Sequence, residues 1–128
     1  MEYQVLNQKD IINIIIQIKI FIKNIGFDET TQTMIITATS EILNNIFIYA
    51  KTGKVIINEI YDNNKKGIKI ILEDNGPGIP NIKKAMKDNY SSNNTLGVGL
   101  PGAKRLMDEF DIKNIEPTGI RIIMKKWI

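Results

Sequence analysis

Residues 72–80 read Leu72-Glu73-Asp74-Asn75-Gly76-Pro77-Gly78-Ile79-Pro80. Before them, residues 67–73 are rich in β-branched side chains and predict a strand. After Asp74, two glycines and two prolines crowd into five positions. Proline fixes φ and glycine releases it, so the backbone here must follow one irregular path. A plain turn explains one glycine. Two glycines spaced by proline point instead to a backbone brought close to a ligand, beside a carboxylate at the strand's end.

Working upstream, residues 54–61 predict a second strand, joined to the first by the polar loop 62–66 as a hairpin. Earlier still, Asp28 and Thr30-Thr31 offer caps for a helix running to about Ala50. Its buried side should hold Ile35, Ile42, Ile46 and Tyr49, helped by Ile36, Leu43 and Phe47. Ile11, Ile15, Ile18, Ile22 and Ile25 recur at helical spacing, although alternation through Ile14, Ile16, Ile18, Ile20 and Ile22 competes as a strand. Length and the stop at Gly26 favour the helix. Residues 3–9 predict a short edge strand.

Working downstream, a short helix fits residues 82–88, and residues 89–97 are polar without periodicity. A helix over 99–109 puts Leu100, Ala103, Leu106, Met107 and Phe110 on its apolar side. Strands over 112–115 and 120–127 flank Pro117-Thr118-Gly119. This order stacks helices against a mixed, mostly antiparallel sheet. The expectation is a two-layer α/β sandwich, with residues 1–128 forming one domain.

Composition narrows the chemistry. With no cysteine and no histidine, disulfides, thiolate nucleophiles, histidine-based triads and the usual catalytic zinc sites are excluded. Carboxylates, amides, backbone groups and a hard cation remain. The net charge of +3 rests on 15 lysines against two arginines. These cations are scattered in ones and twos, without the arginine-rich face of a DNA reader, so no nucleic-acid partner is expected. The apolar run over 11–25 is broken by Asn13, Gln17, Lys19, Lys23 and Asn24. No signal peptide or spanning helix is expected, and the reading is a cytoplasmic protein without a membrane partner.

Three local features carry the chemistry. Glu41 and Asn45 stand four apart, on one face of a helix. Asp74 through Gly78 follow a strand. Leu96-Gly97-Val98-Gly99-Leu100 leads into a helix, where free backbone N–H groups suit anionic oxygens. No Gly-Lys-Ser/Thr follows, so this is not a P-loop. Together, in this order, they resemble the Bergerat-fold (GHKL, histidine-kinase-like) ATP-binding family. Glu41 and Asn45 match its helical box, Asp74–Gly78 its Asp-x-Gly-x-Gly box, and Gly97 and Gly99 its glycine lid. The words Ser40-Glu41-Ile42-Leu43-Asn44-Asn45-Ile46, Gly97-Val98-Gly99-Leu100-Pro101-Gly102, Lys104-Arg105-Leu106-Met107-Asp108-Glu109-Phe110 and Lys126-Trp127 are similar to the RsbT-type serine/threonine switch kinases of the bacterial stressosome.

That resemblance implies an ATP- and Mg2+-dependent serine/threonine protein kinase, with Glu41 as general base and Asn45 as the magnesium ligand. Asn44, about 100° round the helix, is read as the non-ligand. Asp74 would accept from the adenine amine, with Gly76 and Gly78 admitting the ring. Gly97, Val98, Gly99 and Leu100 would cradle phosphates, with Ser91, Ser92 and Thr95 as lid contacts. Lys104 and Arg105 suit either phosphate, a partner or a solvated face. The implied partners are STAS-domain substrate proteins and a PP2C-type phosphatase activated by the released kinase. The alternatives are an anti-sigma factor kinase that binds a sigma factor, and a nucleotide-binding module without turnover. Two positions depart from the family pattern. Asn94-Thr95 stand where another glycine is usual, and Ile120 follows Gly119 where a threonine is common. Thr118 is the candidate substitute for that threonine.

Overall fold

The computed structural model describes residues 1–50, 52–87 and 99–128, and the side chains of residues 47–49 lie outside that description. The polar stretch 89–97 and the burial expected of Phe47 and Tyr49 therefore fall outside it. In chain order the elements are β1 (Glu2–Val5), α1 (Gln8–Ile25), α2 (Glu29–Tyr49), β2 (Gly53–Asp62), β3 (Lys65–Asp74), α3 (Ile82–Ala85), α4 (Gly99–Leu106), β4 (Glu109–Asn114) and β5 (Ile120–Trp127). The strands form one sheet in the order β1-β2-β3-β5-β4. All four pairings are antiparallel.

Both long helices start on the caps that their sequences provide. Asn7 accepts from the Asp10 amide, while the Asp10 carboxylate accepts from the amides of Leu6 and Asn7. This reciprocal box starts the helix at Gln8, so the strand expected over residues 3–9 ends at Val5. Gly26, at φ 111°, ends α1 in the left-handed conformation. Asp28 accepts from the Thr31 amide and opens α2.

Helical periodicity prevails over β-branching in α1. Ile11, Ile14, Ile18 and Ile22 are buried, while Ile15 and Ile25 are only partly covered. From α2, Ile35, Ala38, Ile42, Leu43 and Ile46 enter the same core. The sheet answers with alternate residues: Val55 and Ile57, Ile68, Ile70 and Leu72, then Ile120, Ile122 and Met124. Burying one such side chain contributes roughly 1.5–3 kcal/mol before conformational entropy is set against it. The other sheet face is open. There Ile56, Ile71 and Ile123 lie in register between charged neighbours such as Lys54, Glu73 and Arg121.

Further boundaries differ from the sequence reading. The hairpin turn contracts from five residues to Asn63-Asn64, whose φ angles of 47° and 70° match the two-residue hairpin turn with positive φ at both centres. Asparagine tolerates that region, so both strands extend further than their hydrophobic pattern implied. The helix expected over 82–88 covers Ile82–Ala85. The helix expected over 99–109 stops at Leu106, and β4 starts at Glu109, three residues earlier than expected. The sheet captures Asp108: its amide donates to Lys125 O, and its carboxylate accepts from the Trp127 amide. Lys126 Nζ donates to Leu106 O at 2.9 Å, closing the helix end. Phe110 therefore belongs to a strand, not to the helix's apolar side.

Candidate functional site

Asp74 ends β3 and is 9% exposed. Its Oδ1 accepts from two backbone amides, Gly76 and Ile120, each at 3.1 Å. Oδ2 receives no hydrogen bond among the described residues. Burial pushes the carboxyl above its ordinary value, against the smaller downward pull of the two amides. The result is a fixed carboxylate with one oxygen committed and one acceptor open.

The chain around Asp74 is shaped to allow this. Gly119 has φ 113°, and a β-carbon there would stand 2.0 Å from the Asp74 carbonyl oxygen. Only glycine lets the start of β5 come near enough for the Ile120 amide to reach the carboxylate. Gly78 likewise has φ 82°, and a β-carbon would meet Asn114 Oδ1 at 2.6 Å. The Asn114 side chain takes both backbone groups of Ile79: Oδ1 accepts from its N–H at 2.8 Å and Nδ2 donates to its carbonyl at 2.9 Å. An amide side chain thus acts as a strand of length one, pinning the glycine loop to the end of β4. Thr52 Oγ1 donates to Asn75 Oδ1 at 2.6 Å, and the Thr118 hydroxyl donates to Asn75 O at 3.3 Å. The loop is held from three directions.

Glu41 and Asn45 are both half-buried on α2, one turn apart, while Asn44 is exposed. Glu41 Oε1 accepts from the Gly99 amide at 2.8 Å. That amide is the first of α4, whose small buried residues Pro101, Gly102 and Ala103 belong to a helix packed on α2. A carboxylate at a helix N-terminus is favoured by the helix dipole as well as by the hydrogen bond. Nothing described ties up Glu41 Oε2 or the Asn45 amide. The described residues hold no group of three or more carboxylate, cysteine or histidine side chains able to hold a metal. A cation here would need ligands from its substrate, with one amide oxygen from the protein. Magnesium accepts that donor set, since it keeps waters and binds phosphate oxygens.

Of the residues singled out in the sequence, Asp74, Gly76 and Gly78 form one tied loop, and Glu41 joins Gly99 across two helices. Leu100 is half-buried beside Gly99, packed against the core. Thr118 is exposed, and its hydroxyl goes to the Asn75 carbonyl and not to Asp74. Ser91, Ser92, Thr95, Gly97 and Val98 lie outside the described residues, as do Asn94 and the altered lid. Lys104 and Arg105 are exposed on α4. Sequence reasoning missed Asn114, for which an isolated asparagine at a strand end gives no signal. It also missed the Ile120 amide, because a backbone donor is silent in the residue's identity.

The family of histidine kinase-like ATPase domains matches residues 10–126. The chain belongs to that family. Serine/threonine-protein kinase RsbT of Bacillus subtilis (strain 168) is 48% identical over 106 residues, covering 83% of this chain and 80% of the relative. The anti-sigma F factor of Clostridium novyi (strain NT) is 40% identical over 98 residues, covering 70% and 66%. The catalytic domain of the histidine kinase ThkA superposes with a TM-score of 0.59 at 16% identity, covering 98% of this chain and 93% of that one. This last likeness concerns the fold alone. Within the family, this is a serine/threonine protein kinase of the RsbT and anti-sigma-factor type.

Proposed function

We propose that the protein transfers the γ-phosphoryl group of ATP to a serine or threonine hydroxyl of a STAS-domain partner, using Glu41 as general base. The observation that carries the assignment is the hydrogen bond from the Gly99 amide to Glu41 Oε1. It holds the carboxylate at the helix end that follows the glycine-rich segment, where phosphate oxygens are favoured. The bond also orients the carboxylate, leaving Oε2 to take the proton as the hydroxyl attacks phosphorus. A weakly basic carboxylate suffices, because phosphoryl transfer depends chiefly on alignment and charge stabilisation.

Asn45, one turn along α2, is assigned as the protein's ligand to magnesium. The ion held there would supply positive charge to offset that of the phosphates. Asp74 is assigned to the adenine amine through Oδ2. Burial excludes competing water there, and the amides on Oδ1 keep the open oxygen aimed in one direction. Gly76 and Gly78 carry no side chain to cover that opening. Gly97, Val98, Gly99 and Leu100 are assigned to the phosphates, with Ser91, Ser92, Thr95 and Thr118 as further nucleotide contacts.

The partners in this reading are STAS-domain substrate or scaffold proteins in the cytoplasm, and a PP2C-type phosphatase activated when phosphorylation releases the kinase. The anti-sigma F relatives support a second reading, in which the partner is a sigma factor. No helix among the described residues is long and apolar enough to cross a membrane. The test is phosphotransfer from radiolabelled ATP with magnesium to purified STAS-domain proteins, the product mapped by mass spectrometry. Label on one serine or threonine is expected. Co-purification with a sigma factor would favour the second reading, and label that stays in ATP would point to a nucleotide-binding module without turnover.

A further inference from the structure

Helix α1 carries a second hydrophobic stripe that the core does not use. Ile12, Ile16 and Ile20 are 60%, 48% and 52% exposed. They stand at i, i+4 and i+8, opposite the buried Ile11, Ile14, Ile18 and Ile22. Scattered exposed isoleucines are ordinary, but three aligned along one helix face form a continuous ridge. Successive members drift by only about 40° round the axis, so the ridge is narrow and nearly straight. Ridges of this i±4 type are what one helix inserts into the groove of another.

The charges beside the ridge all have one sign. Lys9, Lys19 and Lys23 are exposed on the same side of α1, and none forms an ion pair among the described residues. The helix has a single carboxylate, Asp10, and the N-terminal capping box occupies it. We infer that the outer face of α1 is a docking surface for a folded helical protein whose apolar groove is rimmed by carboxylates.

Charge decides against two other occupants. A second copy of this chain, related by a twofold axis, would set lysines against lysines along the ridge, which like-charge repulsion disfavours. A membrane surface would accept the lysines. However, interfacial helices turn a broad apolar face with tryptophan, phenylalanine or leucine to the lipid, and α1 has committed its broad face to the core. The ridge belongs to neither the Asp74 loop nor the Glu41 end of α4, so a partner seated here need not present a hydroxyl for phosphorylation. This inference does not depend on the proposed reaction.

The test uses the full chain, labelled with nitrogen-15, and two helical peptide probes of about 20 residues. Both carry leucine at three successive i±4 positions. One has glutamates on both flanks, and the other has lysines. The glutamate probe should shift the amide signals of residues 9–23 and bind at least about tenfold more tightly than the lysine probe. Ile16→Asp should abolish the shifts while leaving the circular dichroism spectrum intact. The triple change Lys9→Glu, Lys19→Glu and Lys23→Glu should reverse the preference between the probes. That reversal cannot come from misfolding. Equal binding of both probes, or shifts elsewhere on the chain, would overturn the inference. So would an Ile16-dependent dimer in sedimentation equilibrium, or Ile16-dependent cosedimentation with phosphatidylglycerol vesicles without probe binding.

Discussion

Asp74 shows how one residue can be costly to the fold and useful to the site. Its carboxyl is pushed above the ordinary 3.8 by burial. The folded chain therefore holds the proton more tightly than the unfolded chain. As pH rises from about 3.8 through the raised value, this group progressively disfavours folding. Asp74→Asn keeps an oxygen for the Gly76 and Ile120 amides and removes the buried charge. It also puts an NH2 donor where Oδ2 offered an acceptor. Chemical denaturation at neutral pH should show stability equal to or above the parent, with this pH dependence gone. Calorimetry should show ATP affinity reduced by about tenfold or more, the effect of one mispaired buried contact. Undiminished affinity would remove Asp74 from the adenine site. Gly119 is the complementary case. Gly119→Ala forces a β-carbon onto the Asp74 carbonyl at a positive φ, and should cost about 2–4 kcal/mol in urea denaturation.

At the scale of elements, the glycine loop depends on strands that are remote in sequence. Asn114 at the end of β4 supplies two hydrogen bonds to Ile79, 35 residues away. Asn114→Ala should lower stability by about 1–2 kcal/mol and weaken ATP binding, while leaving the transfer rate at saturating ATP nearly unchanged. A fall in that rate with unchanged ATP affinity would show that the clamp does not act through the nucleotide loop. The difference between what sequence showed here and what it hid has a physical basis. The two long helices were legible because their apolar residues repeat every three to four residues between recognisable caps, Asn7 excepted. The end of α4 was not, because Asp108 and Phe110 continue a helical pattern that Lys125, Lys126 and Trp127 interrupt from another strand. The position of Ile120 looked like a lost polar side chain. In the fold, its contribution to Asp74 is a backbone amide that any residue but proline would provide.

The whole molecule places α2 between α1 and α4, with all three helices contributing to a core against one face of an antiparallel sheet. Glu41 thus meets the first amide of α4, while the outer ridge of α1 looks away from the core. Asp74 was legible as a strand-end carboxylate before paired glycines, whereas helical spacing showed only that Glu41 and Asn45 share a face, and their roles were implied by the family resemblance. The meeting of Glu41 with Gly99 and of Asp74 with Gly119 was not legible, because it depends on how distant elements pack. The central claim is that Glu41 serves the transfer step and not the binding of nucleotide. Glu41→Gln retains an oxygen for the Gly99 amide and removes the proton acceptor. The decisive measurement is therefore single-turnover transfer of radiolabel from ATP to the STAS-domain protein by this variant, with ATP affinity measured in parallel. A loss of transfer by about a hundredfold or more, the usual worth of a general base, with ATP affinity within about threefold of the parent by the same calorimetry, is the expected result. Transfer at the parental rate would contradict it.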